Sequence, residues 1–290
     1  MTTATAEQLA RCGERQLLAA LDADGDGDTR LRSCFERAVA LAVEQPAAAR
    51  VCIVEAGAGS PATDRVEQAV RLVGRRAVAV AREDGDRAEL PAGVARAVLG
   101  GLRGVMAARL SERRERELPG AADELVEWAL GYRNPPVPLR AAATPPRRPE
   151  RRPAPTASPD EALLAVALEA YQGAEDWPSG VRDAIVAILD LLASEPAATR
   201  LLGPPADAPA AHPADPDLTG FASHLAVGLR RQRSPLLVGE AIAAALLALI
   251  RETAAREGTA RMAALAPVAT FVALAPAVGR IEACALANGD

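Results

Sequence analysis

The chain has 290 residues, half of them hydrophobic but only 2% aromatic, and a net charge of −5. That length is a soft prior for two domains. The acidic balance argues against a generic nucleic-acid binder, which would show a basic face. Alanine supplies much of the apolar share and is the best helix former, so helix is the default. All 33 basic residues are arginine, which reads as codon bias in a high-GC genome. The opening MTTATAEQLARCGERQ has no apolar stretch of a signal peptide. Cys12, Cys34, Cys52 and Cys284 are scattered, without C-x-x-C spacing. They are expected as buried free thiols in a reducing cytosol, with no metal and no cofactor.

The first unit is expected over residues 1–133. Its helix at 31–43 places Leu31, Phe35, Ala38, Val39 and Ala42 on one face. Pro46 opens the next helix, where its missing N–H costs little. That helix carries Val51, Ile53 and Val54 and breaks near Gly57 to Pro61. Residues 63–82 form a basic amphipathic helix with Arg65, Arg71, Arg75, Arg76 and Arg82. Helices at 91–113 and 119–131 follow. Residues 134–159 hold nine prolines and a cluster of arginines, a composition that excludes helix and reads as an extended linker.

The second unit is expected over residues 160–290, with helices at 161–172, 181–193, 218–233, 236–257 and 260–278. Residues 203–217 are a second proline-rich loop. No strand run is found, so the chain reads as all-α. Met262 to Gly279 reaches the lower length limit of a membrane span. Its many alanines, with Pro267 and Pro276, favour a buried helix instead.

The two units repeat. Leu31 to Arg50 and Val181 to Arg200 align at a constant offset of 150 with six identities in 20 positions. Further on, Pro91 and Pro235 each open an apolar segment, and Gly131 and Gly279 each close one. A repeat of this kind suggests an intramolecular pseudo-dimer.

A helix opens through an acidic Asp-Gly-Asp or Asp-Trp loop, and a helix ends in EQPAAAR. Then come VCIVEAGAGSPATDR, a proline-opened long helix and a terminal helix ending in WALGY. This order resembles the C-terminal ligand-binding and dimerisation domain of TetR-type transcriptional regulators. It covers residues 15–133 well and 161–282 more weakly, since the segment after Arg200 departs from the pattern. Such regulators carry a helix-turn-helix of roughly 50 residues before this domain. Here about 15 residues stand before the first copy and a proline-rich linker before the second. The resemblance implies two tandem helical-bundle domains without a DNA reader. It also implies that 91–113 with 119–131 pairs with 236–257 and 260–279. The stretch Ala241 to Ile250 is apolar on all sides and suits an interface core. Leu246, Leu247, Ile250 and Phe271 are its expected interface residues.

Candidate chemistry is sparse. Asp22, Asp24 and Asp26, with Gly27, match the start of a calcium loop, but position 12 is Ser33 rather than a bidentate glutamate. The matching position of the second copy, Glu175-Asp176-Trp177, is a plain helix opening, so the acids read as helix N-terminal charges. Gly57-Ala58-Gly59-Ser60 follows a helix, not a strand, and reads as a helix break rather than a phosphate loop. His212 and His224 have no partner at ligand spacing. No triad or carboxylate pair stands out, so enzyme activity is not expected. Arg147, Arg148, Arg151 and Arg152 lack interleaved aromatics and read as a solvated linker.

The reading is a non-catalytic cytoplasmic regulator that binds a small apolar ligand or a partner regulator, with no direct DNA binding and no membrane contact. Phe35, Cys52, Glu55, Val98, Met106 and Trp128 are the expected cavity residues, apolar with one acidic anchor. All but Glu55 equally suit an ordinary core. Two other readings stay open: a TetR-type repressor whose helix-turn-helix is encoded upstream, and a structural interaction module.

Overall fold

The computed structural model describes residues 3–54, 61–140, 159–194 and 219–289. All regular structure among them is helical, with twelve α-helices and short 3-10 segments. The chain divides into two compact units. The first is Met1–Leu90 with Leu102–Asn134, and the second is Pro91–Gly101 with Pro135–Asp290.

The first unit holds α1 (Thr3–Leu21), α2 (Gly27–Glu44), α3 (Pro46–Ile53), α4 (Pro61–Ala81), the second half of α5 (Ala92–Ser111) and α6 (Leu118–Leu130). Helix α2 is its centre and packs on α1, α3, α4 and α6. Its buried residues Cys34, Phe35, Val39 and Ala42 stand at helical spacing. Asp26 opens it, its carboxylate accepting from the Thr29 N–H at 2.7 Å, which satisfies one of the free donors of the first turn. Pro46 starts α3 as expected. Two arginines then fix α3: Arg50 Nε donates to the Leu110 carbonyl at 3.0 Å, and Arg103 Nη2 to the Ile53 carbonyl at 3.3 Å. Arg113, with φ of 59°, ends α5 in the left-handed region.

The second unit holds the first ten residues of α5, then α7 (Pro159–Gln172), α8 (Trp177–Ser194), α9 (Thr219–Gly228), α10 (Pro235–Glu257), α11 (Ala266–Val278) and α12 (Arg280–Asn288). Helix α8 packs on α7, α9, α11 and α12. It is capped as α2 is, with Asp176 accepting from the Ser179 N–H at 2.9 Å. Val181, Ile185, Leu189 and Leu192 are buried and Ile188 is half-buried. No residue from Ala241 to Ile250 is exposed, as an all-round apolar helix requires. Within this unit α5 and α10 come very close. A Cβ on Gly100 would lie 2.3 Å from the Ala248 Cβ, so only glycine fits there.

Several boundaries differ from the sequence expectation. The helix expected at 31–43 starts earlier, at Gly27, because the Asp26 cap sits before it. The helix expected over 218–233 stops at Gly228, where a Cβ would lie 2.4 Å from the Trp177 ring. The stretch expected as one helix over 260–278 is a 3-10 segment, Thr259–Leu265, followed by α11. Pro267 explains the division, since proline belongs in the first turn of an α-helix and not its interior. Helix α12 was not expected at all. It follows Gly279, whose φ of +85° reverses the chain. Cys284 Sγ and Asn288 Nδ2 in α12 donate to the carbonyls of Val137 and Pro138. With the Arg140 N–H donating to Asn288 Oδ1 at 2.8 Å, those bonds tie residues 137–140 to α12. The rest of the expected linker, the glycine-rich break at 57–60 and the proline-rich loop at 203–217 lie outside the described residues.

Thr259–Val278 is long and apolar enough to cross a membrane by length and composition. Pro267, Ala269, Thr270 and Phe271 to Leu274 are nevertheless buried in the second unit.

Candidate functional site

Phe35 on α2, Met106 on α5 and Trp128 on α6 are all buried in the first unit. Cys52 on α3 is half-buried there. Val98 is buried but belongs to the second unit. Glu55 lies outside the described residues. Trp128 packs edge-on against Tyr132, the ring centroids 5.6 Å apart, a favoured aromatic geometry. Burial pushes the Tyr132 phenol well above its ordinary range, opposed by the Trp128 side chain.

Burial raises the Cys34 thiol to about 11. It also raises Cys52, against the opposing charge of Arg103. A thiol so raised stays protonated near neutral pH and is a poor nucleophile. The four cysteines are free. Among the described residues no group of three or more His, Cys, Asp or Glu side chains could hold a metal ion.

Of the expected interface residues, Leu246 is 6% exposed and Phe271 fully buried, while Leu247 and Ile250 are half-buried. All four belong to the second unit. His224 is exposed on α9, its ring 5.4 Å from that of Tyr171. Its carbonyl accepts from the Trp177 indole N–H at 3.0 Å. His212 lies outside the described residues.

In the first unit a polar cleft of about 490 Å³, not expected from the sequence, is lined by Gly25, Asp26, Gly27, Asp28, Arg30, Glu83, Asp84 and Arg87. Arg87 is only 2% exposed. Its guanidinium pairs with Asp28 and, at 2.8 Å, with Asp84, and reaches the Leu130 carbonyl at 3.5 Å. Arg30 pairs with Glu83.

The turn that carries Arg87 is fastened from Asn134. The Asn134 N–H donates to the Asp86 carbonyl at 2.7 Å, and its side chain bridges the Glu89 N–H and the Gly85 carbonyl. The Asp86 N–H, then the Arg87 charge, hold the Asp84 carboxyl below its usual range. Asp26 is lowered chiefly by the Thr29 N–H and Asp176 by that of Ser179.

Three acids around the expected calcium loop already have partners within the protein: Asp22 pairs with Arg76, Asp26 caps α2 and Asp28 pairs with Arg87. The only sequence signal for the clamp was an arginine inside the turn Glu83-Asp84-Gly85-Asp86-Arg87, and such turns are ordinarily solvated. No protein-family model, curated protein or solved structure matches this chain.

Proposed function

We propose that this chain is a non-catalytic regulatory module, two TetR-type ligand-sensing and dimerisation domains in tandem, that binds a small apolar molecule or a partner regulator. The observation that carries the reading is the matched pair α2 and α8. Both are 18 residues long and they start 150 residues apart. Each follows an aspartate whose carboxylate takes the N–H three residues on.

The downstream parts recur in the same order, at offsets of 144 residues for Pro91 and Pro235 and 148 for α6 and α11. Pro91 directly precedes α5 and Pro235 starts α10. Helices α6 and α11 are both 13 residues long, with proline in the first turn and a 3-10 segment before them. In this reading α5 and α6 pair with α10 and α11 about a pseudo-two-fold axis, as one patch meets its own copy in an isologous dimer. Three contacts inside the second unit support it. A Cβ on Gly93 would meet Val268 at 3.0 Å, Gly100 adjoins Ala248, and Arg96 pairs with Glu252 at 3.3 Å.

Thermal-shift screening against small apolar compounds tests the sensing role. A ligand at about 100 times its Kd stabilises the native state by about 2.7 kcal/mol, a shift of several degrees. If no apolar compound raises the melting temperature, and no TetR-type regulator co-purifies with the chain on co-expression, the regulatory reading fails.

A further inference from the structure

One end of the second unit carries a surface that the regulatory reading does not use. The turn between α9 and α10 presents Arg230, Arg231 and Arg233, all exposed. None of their side chains makes an ion pair or hydrogen bond among the described residues. Arg114 and Arg256, also exposed, do pair, with Glu112 and Glu117 and with Glu252, whereas Arg75, Arg113, Arg116 and Arg261 are exposed and, like the turn arginines, make no ion pair among the described residues.

Two aliphatic side chains flank the turn, Val227 at 48% exposure and Leu236 at 47%. Gln232 Nε2 donates to the Pro276 carbonyl at 3.1 Å, which ties the turn to the C-terminal end of α11. The chain reverses there at Gly279 into α12, whose first two residues are Arg280 and Ile281. Arg280 is exposed and unpaired among the described residues. Ile281, 72% exposed, is the most exposed large apolar side chain among them. Glu282, also exposed, is the acid beside it. The turn itself is anchored by Leu229 and Val238, both buried, and by the bond from the Gln232 N–H to the Leu229 carbonyl at 2.9 Å.

We propose that this end of the second unit docks on an anionic membrane surface. The arginines would meet lipid phosphates while Ile281, Leu236 and Val227 enter the boundary of headgroups and acyl chains. Basic residues with apolar side chains beside them are the pattern of peripheral binding to anionic lipid. Side chains this exposed protrude rather than line a groove. A folded partner would need hollows shaped to them, whereas a bilayer deforms around them. Nucleic acid fits less well, because no aromatic side chain stands among the arginines to stack on a base. The contact is peripheral, since Phe271 to Leu274 stay in the core. It departs from the expectation, drawn from composition, of no membrane contact.

Co-sedimentation of the full chain with vesicles tests it, using phosphatidylcholine alone and phosphatidylcholine mixed with phosphatidylglycerol. Binding is expected to the mixed vesicles only, and to fall as salt rises. Each arginine near an anionic surface contributes about fivefold in partitioning, so the double variant Arg230→Glu with Arg231→Glu should lose about 25-fold or more. Ile281→Ser should weaken binding and leave its salt dependence unchanged. These side chains are exposed, so the variants should keep the wild-type melting curve, and circular dichroism checks that they do. Failure to bind the mixed vesicles at low salt overturns the proposal. So does equal binding to neutral vesicles, or insensitivity to the charge reversal in a folded variant. Binding to a DNA duplex but not to vesicles overturns it in favour of a phosphate-polymer site.

Discussion

Arg87→Ala tests whether the clamp of the first unit is structural. The guanidinium is 2% exposed and holds Asp28, Asp84 and the Leu130 carbonyl together. Breaking a fully buried ion pair costs about 3–5 kcal/mol. Here the two carboxylates are 45% and 36% exposed, so they regain water when the arginine goes, and that figure falls. The buried stem adds about 0.8 kcal/mol per methylene. Together these put Arg87→Ala at about 2–3 kcal/mol. A unit of this size moves by about 4 °C per kcal/mol, so its melting temperature should drop by about 8–12 °C. Arg87→Met keeps the apolar stem but, like alanine, leaves Asp28 and Asp84 unpaired. It should lose less than Arg87→Ala by the packing it retains, about 1–2 kcal/mol. Thermal and urea unfolding followed by circular dichroism read both variants. If Arg87→Ala melts within about 2 °C of the parent, or Arg87→Met is the worse of the two, the clamp does not hold the turn.

Leu246→Asp places a carboxylate where the side chain is 6% exposed on an all-apolar helix, a loss of several kcal/mol. A variant that keeps its compact shape by small-angle scattering and its melting temperature would show that α10 is not packed as described. Gly100→Val should cost about 1–3 kcal/mol by overpacking, because its Cβ would lie 2.3 Å from that of Ala248. Adding Ala248→Gly should recover part of that loss in a double-mutant cycle; strict additivity would mean the two residues do not meet. Asp26→Ala and Asp176→Ala should each lower the melting temperature by a few degrees at neutral pH, since each removes a helix cap. Their folded pKa values lie below the usual value, so the stabilisation is present above an unfolded pKa of about 3.9. It is lost as pH falls through the folded value. The gap between parent and variant in a pH series of melting curves should close below about pH 4, and a gap that widens in acid would contradict the assignment.

What the sequence made legible was whatever proline, glycine and apolar spacing encode locally. Pro46, Pro119 and Pro235 each sit in the first turn of a helix. Phe35, Val39 and Ala42, and Val181, Ile185 and Leu192, are buried as their spacing required. Features that depend on partners distant in sequence were not legible. Nothing around Arg87 shows that Asp28 lies across from it, 59 residues away, or that Asn134 fastens its turn. Helix α12 was missed because its nine residues carry a weak apolar stripe and its stability rests on packing against α8 and α11. Of the expected cavity residues, apolar type and spacing foretold burial for Phe35, Val98, Met106 and Trp128. The same pattern serves a filled core and a ligand cavity, so composition could not separate the two.

If the two units are copies of one module, as proposed, they need not stay alike, because only one face of each must remain complementary to the other. In that reading the matched parts are the ones a shared helix packing would constrain: the capped helices α2 and α8, and the proline-opened helices α6 and α11. Among the described residues the polar clamp of Arg87 is seen in the first unit, and α12 with its Arg280 and Ile281 in the second. If one patch holds the copies together, substitutions on the clamp and on the basic turn should act independently, with stability effects that add within about 0.5 kcal/mol. Combining Arg87→Met with Arg231→Glu tests this directly in a denaturant titration. A coupling well beyond that limit would mean that the two specialised surfaces communicate, and that the chain works as one body rather than as two adapted halves.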